Sequence, residues 1–284
     1  MQVTQKGQVT VVQKFRCGHQ GFVRKRGYRD VCPECSSFWD REAVKADFSY
    51  DDSYSKFRNH LDDTVGALKV RSTAAWLEHY GQLKRELVVC EVGFGGGHSL
   101  AYLQGRVDWV FGIEVIADNL QNAKRLGIPE DRLFDAAALP PKVAKPVDLW
   151  CFFDSFEHLP DPAAFMHWVL ASSSPSAAIL LIAPCADSLS ERLLGRLWPH
   201  RVRDHVFHWS KRGISDFFLN HGFADCKFFS PKKFIQLPMV VAHLCHKAHC
   251  EWMMPFLLKI TPQLSMQLNF GEQGVLLRRR PDTL

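Results

Sequence analysis

The sequence predicts an α/β fold, a doubly wound sheet of seven strands preceded by a small metal-binding ribbon. Three observations carry this reading. From Leu87 onward, short apolar runs alternate with helix-patterned segments, the rhythm of a parallel sheet with helices on both faces. One strand–helix joint, Val88–His98 (VVCEVGFGGGH), is a glycine-rich turn with an acid just before it. Residues 1–45 hold a separate cysteine pattern in a stretch too short to bury a sufficient core of its own.

Composition sets the outer bounds. A chain of 284 residues with 46% hydrophobic and 23% charged residues is globular, and its length suits one large domain with an appendage. The longest apolar runs, such as Ala177–Ala183, are too short to span a bilayer, so no transmembrane segment is expected. The opening MQVTQKGQVTVVQKF lacks a continuous apolar stretch, which argues against a secretory signal. Nine cysteines without such a signal point to a reducing, cytoplasmic setting with thiols or metal ligands. The net charge of +5 permits an acidic substrate but does not by itself indicate nucleic acid.

The ribbon comes first. Cys17-Gly-His19 and Cys32-Pro-Glu-Cys35 flank a basic hairpin-like stretch, and C-P-x-C is a tight turn that aims two sulfurs at one point. Cys17, His19, Cys32 and Cys35 together offer the four ligands of a tetrahedral Zn²⁺ site. With every position filled by protein, the expected role is structural. Residues 46–86 read as a helical cap or linker, with Tyr50, Tyr54, Phe57, Leu61, Val65, Leu68, Trp76 and Leu77 at roughly helical spacing.

The glycine turn follows at the head of the domain 87–284. Val88, Val89, Cys90 and Val92 form a buried β-run around Glu91; Gly93, Gly95, Gly96 and Gly97 open the turn, and SLAYLQG reads as a helix ending on Gly105. A dinucleotide fingerprint would need glycine where His98 stands, and a phosphate loop would need a lysine that the turn lacks. The acid favours a cationic ligand. The next strand, Trp109–Ile113, ends in Glu114, and an acid about 20 residues beyond the first glycine accepts from ribose hydroxyls in nucleotide-binding α/β folds.

The remaining elements keep the rhythm. Ala117–Leu126 is a helix stopped by Gly127 and Pro129, Arg132–Phe134 a third strand leading to Asp135, and Val147–Phe153 a fourth leading to Asp154. Pro162 opens the helix Ala163–Leu170, Ala177–Ala183 is a buried fifth strand, and Ser210 caps a helix through Asn220 that Gly222 stops. Asp225–Phe229 and Gly274–Arg279 supply the sixth and seventh strands.

The motif Glu91-x-Gly93-x-Gly95-x-Gly97 resembles motif I of the class I S-adenosylmethionine-dependent methyltransferases. DLWCFFDSFEHLPDP resembles a later segment of their ubiquinone-type and sugar or natural-product members, as does RDHVFHWSKRGISDFFLNHGF. Similar enzymes also carry an N-terminal zinc ribbon, and the likeness covers about residues 15–230. It implies a Rossmann-like seven-stranded methyltransferase sheet and S-adenosylmethionine as cofactor. It further implies Glu91 near the methionine moiety, Asp135 at the adenine amino group, and Asp154 on the methionine or substrate side. The C-x-H half of the ribbon departs from the pattern, as does the long stretch 231–273 between the last two strands.

That stretch is apolar and helix-like, which suits a substrate lid, a membrane-facing surface or a homodimer contact. His246 and Cys250 lie four apart, but no carboxylate completes a metal set, so a mixed amphipathic helix is the simpler reading.

Methyl transfer to a hydroxyl requires removal of its proton, and histidine is the side chain suited to that near neutrality. His205 and His158 both follow strands at the carboxyl edge of the sheet, where ligands bind in doubly wound folds. Glu157 has packed neighbours and is the weaker candidate. The leading expectation is methyl transfer to a small-molecule acceptor: a sugar, a nucleotide-sugar or a natural-product intermediate. An RNA or protein methyltransferase is the alternative, with Arg24, Lys25, Arg26 and Arg29 on the ribbon as its recognition face. Against it, no [DN]-P-P-[YF] follows the fourth strand, and Cys185 follows the fifth strand, where a cytosine-attacking thiol does not belong. A non-catalytic scaffold that keeps the pocket for stability is a third reading, disfavoured by the intact acid-and-glycine set.

Overall fold

In the computed structural model the described residues are 2–3, 9–10, 12–41, 62–136, 143–202, 205, 207–238, 240–241, 245, 251–260 and 264–280. Tyr50, Tyr54, Phe57, Leu61, His246 and Cys250 lie outside them. Among the described residues no helix is long and apolar enough to cross a membrane.

Every strand expected after Leu87 is present: β1 (Val88–Val92), β2 (Trp109–Glu114), β3 (Leu133–Asp135), β4 (Val147–Phe153), β5 (Ser173–Pro184), β6 (Phe223–Phe229) and β7 (Glu272–Arg279). They form one seven-stranded sheet in the order β3-β2-β1-β4-β5-β7-β6. β1 to β5 run parallel, whereas β7 lies antiparallel between β5 and β6. All five residues of β1 are buried, as a central strand covered on both faces requires. The order reverses direction between β1 and β4, which places a crevice at their carboxyl ends.

The helices supply the two covers: α1 (Asp62–Leu77), α2 (His98–Gln104), α3 (Ala117–Arg125), α4 (Pro162–Ser172), α5 (Leu189–Leu194), α6 (Lys211–Asn220) and α7 (Met254–Ile260). On one face Trp76, Phe94, Leu100, Leu103 and Val110 form a buried cluster under α1 and α2. On the other, Trp150, Phe152, Phe156, Trp209 and Phe217 pack under α4 and α6. Asp161 caps α4 by accepting from the Ala164 N–H at 3.0 Å, with Pro162 at the first helical position.

The ribbon does not stand as a module with its own core. Phe15, Cys17, Cys32 and Cys35 belong to the same buried cluster as Phe207, Trp209 and Ile214. Its strands Arg24–Arg26, Arg29–Val31 and Phe38–Asp40 form an antiparallel sheet, and Phe207–His208 adds a fourth strand beside Phe38–Asp40. Polar links help to close the seam. Arg29 pairs with the buried Glu191 at 2.6 Å, Arg201 pairs with the buried Asp40 at 2.6 Å, and Arg16 donates to the Leu159 carbonyl at 2.9 Å.

In the stretch 231–273, strand Lys233–Gln236 pairs with Ser265–Leu268 as a two-stranded antiparallel sheet. It docks on α1, where the Phe234 N–H donates to Ser72 Oγ at 2.9 Å and Arg71 stacks 4.3 Å over the Phe234 ring. Through Lys233, which meets Asp154, the segment reaches the carboxyl edge of the sheet.

Candidate active site

The glycine turn takes its shape from the backbone. Gly93 has φ +68°, and its N–H donates to the Ile113 carbonyl at 2.7 Å. A Cβ at Gly93 would stand 2.5 Å from Ser155 Cβ, so only glycine lets β1 and the β4 loop approach this closely. Gly97, at φ +84°, starts α2 in the left-handed region, where a side chain would press on Ala123 of α3. Ser155 Oγ donates to the Val92 carbonyl at 2.5 Å and ties the two loops together.

Glu91 is fully buried at the head of this turn. Its Oε1 accepts from Ser99 Oγ, while Oε2 is buried with no hydrogen-bond partner. Burial pushes its carboxyl up to about 7, although the Ser99 bond and Lys69 work the other way. A buried carboxylate oxygen without a donor is a costly arrangement unless a cationic ligand meets it. The glycine cradle and this oxygen fit the charged methionine end of S-adenosylmethionine.

Glu114 ends β2 almost fully buried. Its Oε2 accepts from the Gly95 N–H at 2.7 Å, and its Oε1 from the N–H groups of Val115 and Ile116 at 2.8 and 3.1 Å. Those three bonds shape the turn and leave acceptor capacity for a ribose hydroxyl, because a carboxylate offers about four lone-pair sites. Asp135 lies beside Glu114 in the parallel register at the end of β3 and is exposed.

Asp154 sits in the left-handed region at φ +59°, a strained position for a residue with a side chain. Its Oδ2 meets Lys233 Nζ at 3.0 Å and Lys69 Nζ at 3.8 Å. Burial pushes its carboxyl up, but Lys233 and Lys69 outweigh this and hold it below the ordinary value. Lys233 Nζ also lies 3.4 Å from the buried Glu272, which in turn lies 3.1 Å from His200 Nε2. Neither Lys233 nor Glu272 was foreseen from the sequence, for their partners are distant in the chain. Lys233→Met should therefore destabilise the protein by the lower part of the about 3–5 kcal/mol range for breaking a buried pair, since the lysine is 26% exposed. An unchanged urea midpoint at pH 7 would contradict this.

His158 and His205, the two candidate bases, come together with ring centroids 4.6 Å apart. Glu157 joins them, its Oε1 lying 3.8 Å from His205 Nε2. Burial, and then His158, His208 and His200, hold the His205 imidazolium well below its ordinary range, so the ring is neutral near pH 7. Burial and the adjacent Asp187 push the Cys185 thiol up, the opposite of what an attacking thiolate needs. A cleft of about 750 Å³ between the ends of β5, β6 and β7 adjoins this region through Glu272, walled partly by Leu189, Leu193, Phe228 and Phe229.

In the ribbon, the ligand atoms of Cys17, His19, Cys32 and Cys35 all lie within 4.8 Å of one another. His19 Nδ1 faces Cys32 Sγ at 3.7 Å while its Nε2 meets Asp216 Oδ2 at 3.2 Å. A carboxylate on the far nitrogen is the usual outer partner of a metal-binding imidazole. Three sulfurs and one nitrogen in this arrangement fit tetrahedral Zn²⁺.

Comparison with known proteins places the family and the fold. Residues 67–227 match the family model described as a methyltransferase domain, and the chain belongs to that family. With this sheet it is a class I S-adenosylmethionine-dependent methyltransferase. No curated protein matches the sequence. Among solved structures, the plantazolicin methyltransferase BpumL bound to S-adenosylhomocysteine superposes with TM-score 0.51 at 15% identity, covering 81% of this chain and 92% of its own. The YcgJ protein of Bacillus subtilis gives 0.52 at 16%, covering 74% and 98%. An S-adenosylmethionine-dependent methyltransferase of Thermotoga maritima gives 0.51 at 14%, covering 80% and 95%. At these identities the likeness is one of fold.

Proposed function

We propose that the enzyme methylates a small-molecule acceptor, a sugar, nucleotide-sugar or natural-product intermediate, and that its ribbon carries one structural zinc ion. The observation that carries the cofactor side is the partnerless Glu91 Oε2 buried at the head of the glycine turn. Glu91, Gly93, Gly95 and Gly97 hold the methionine end, Glu114 the ribose, Asp135 the adenine amino group, and Asp154 borders the methionine and acceptor side. When bound, S-adenosylmethionine supplies an electrophilic methyl group on a sulfonium. The chain's own contribution is to hold the acceptor in line and remove its proton. His205, neutral and beside His158, takes that proton when the acceptor is a hydroxyl.

The fold shared with BpumL, a plantazolicin enzyme by name, supports a natural-product acceptor. Cys17, His19, Cys32 and Cys35 hold the zinc, their thiols suiting a reducing cytoplasm. The stretch 231–273 is then free to select the acceptor or to join two copies as a homodimer. The test is turnover of labelled S-adenosylmethionine against panels of phenols, nucleotide sugars and short RNAs. Transfer only to RNA would overturn the acceptor class.

Cofactor binding should be linked to protons. Because the Glu91 carboxyl is raised to about 7, it is protonated in the free protein at pH 6 and must ionise to meet a cation. Affinity should therefore fall about tenfold for each pH unit below 7, with proton uptake by buffer at pH 6 and almost none at pH 8.5. Calorimetry in buffers of different ionisation enthalpy measures this directly. Pairing with the cation would be contradicted by an affinity that is flat from pH 5.5 to 8.

A further inference from the structure

Four imidazoles and one carboxylate converge beyond the end of β4, more than a single general base requires. Glu157 and His158 stand on the short turn after β4, and His200, His205 and His208 on the connection between β5 and α6. His205 is the hub, with His158 at 4.6 Å, His208 at 6.2 Å and His200 at 6.3 Å between ring centroids. One ligand atom each from Glu157, His158 and His205 lies within 4.8 Å of the others. Glu157 is 1% exposed, so a carboxylate here has little water to stabilise it. His205 Nδ1 and both ring nitrogens of His208 are buried without a hydrogen bond. A buried imidazole nitrogen of His205 without a partner, beside a buried carboxylate, calls for a group that satisfies it.

The geometry points to a second metal site, in which Glu157, His158 and His205 hold a divalent first-row transition ion. Two imidazoles and a carboxylate form a three-ligand set that leaves coordination positions open, unlike the closed four-ligand ribbon. His208 backs the site, packed against Phe38 of the ribbon at 4.7 Å and Trp198 at 5.2 Å. In terms of function the inference rests on the acceptor-side reading above. A hydroxyl oxygen placed in an open position loses its proton to solvent because it is bound to a dication. The imidazoles then act as ligands. His205 serves as base only when the site is metal-free, since one nitrogen cannot do both in the same cycle.

Co²⁺ is the probe, added to full-length protein whose ribbon already holds one equivalent of zinc. The expected result is saturable uptake of one equivalent, with visible d–d bands and no thiolate charge-transfer band. Glu157→Gln and His205→Ala should each weaken that uptake by at least about tenfold. His158→Gln is the fold-safe third variant, because its side chain is only half-buried. Circular dichroism and S-adenosylmethionine affinity are measured on the same samples and should stay unchanged. Retained cofactor binding with lost Co²⁺ uptake supports this site. Lost cofactor binding with intact Co²⁺ uptake strikes at the methyltransferase reading instead. Absence of saturable uptake in the wild type, uptake unaltered in folded variants, or thiolate bands alone would overturn the second site.

Discussion

Cys35→Ser should lower the melting temperature steeply and abolish methyl transfer, while S-adenosylmethionine affinity stays within a few-fold. A metal that folds a short segment supplies binding energy of about 10–16 kcal/mol in isolated zinc-finger peptides, so losing one thiolate removes a large share of what orders the ribbon. Here the loss spreads. Cys35 Sγ is bonded to Ser37 Oγ at 3.2 Å, and Ser37 Oγ accepts from the Ser210 N–H at 2.9 Å. Ser210 caps α6 through the Gly213 N–H at 2.9 Å, and α6 carries the Asp216 that holds His19. The circuit therefore closes on the strand Phe207–His208 and, through Arg16, on the loop after His158. The glycine turn is shielded on one side only: Phe94, Leu100 and Val110 belong to the buried cluster on the opposite face, whereas Val88, Cys90 and Val92 share the ribbon's cluster. Chelation followed by near-ultraviolet circular dichroism, calorimetry and an activity assay reads all three effects. A zinc-free protein with unchanged melting and unchanged turnover would contradict the account.

Glu114→Ala should cost about 1.5–3 kcal/mol of cofactor affinity, the range for hydrogen bonds to a charged group, or roughly tenfold to over a hundredfold. The same change removes the acceptor of the Gly95, Val115 and Ile116 N–H groups, so folding stability should fall as well. Comparing calorimetric affinity with the urea midpoint separates the two. Equal affinity in the folded variant would remove Glu114 from the ribose role.

The parts of the site visible in the sequence are those whose chemistry is local. A strand ending in Glu91, glycines at fixed offsets and an acid ending the next strand can be read along a few dozen residues, because the backbone geometry of the turn demands those residue types. The Cys/His cluster of the ribbon is visible for the same reason. Features made by closing long loops were not visible. Lys233 reaches Asp154 across 79 positions, and no periodicity marks which lysine will do so. The meeting of His205 with Glu157 was not visible either, for the loop that carries His205 is joined to the ribbon by the strand Phe207–His208. Phe207–His208 gave no separate strand signal, being too short for an alternating pattern. The strain at Asp154 was likewise hidden, since aspartate is common in ordinary turns.

The central claim is that the turn from Glu91 to Gly97, with Glu114, binds S-adenosylmethionine. The most direct test is calorimetric titration of the purified wild-type protein with S-adenosylhomocysteine and, separately, with NADH. One saturable site for S-adenosylhomocysteine, weakened in Glu114→Ala, and no binding of NADH is the result the account predicts. Tight binding of NADH with none of S-adenosylhomocysteine would contradict it.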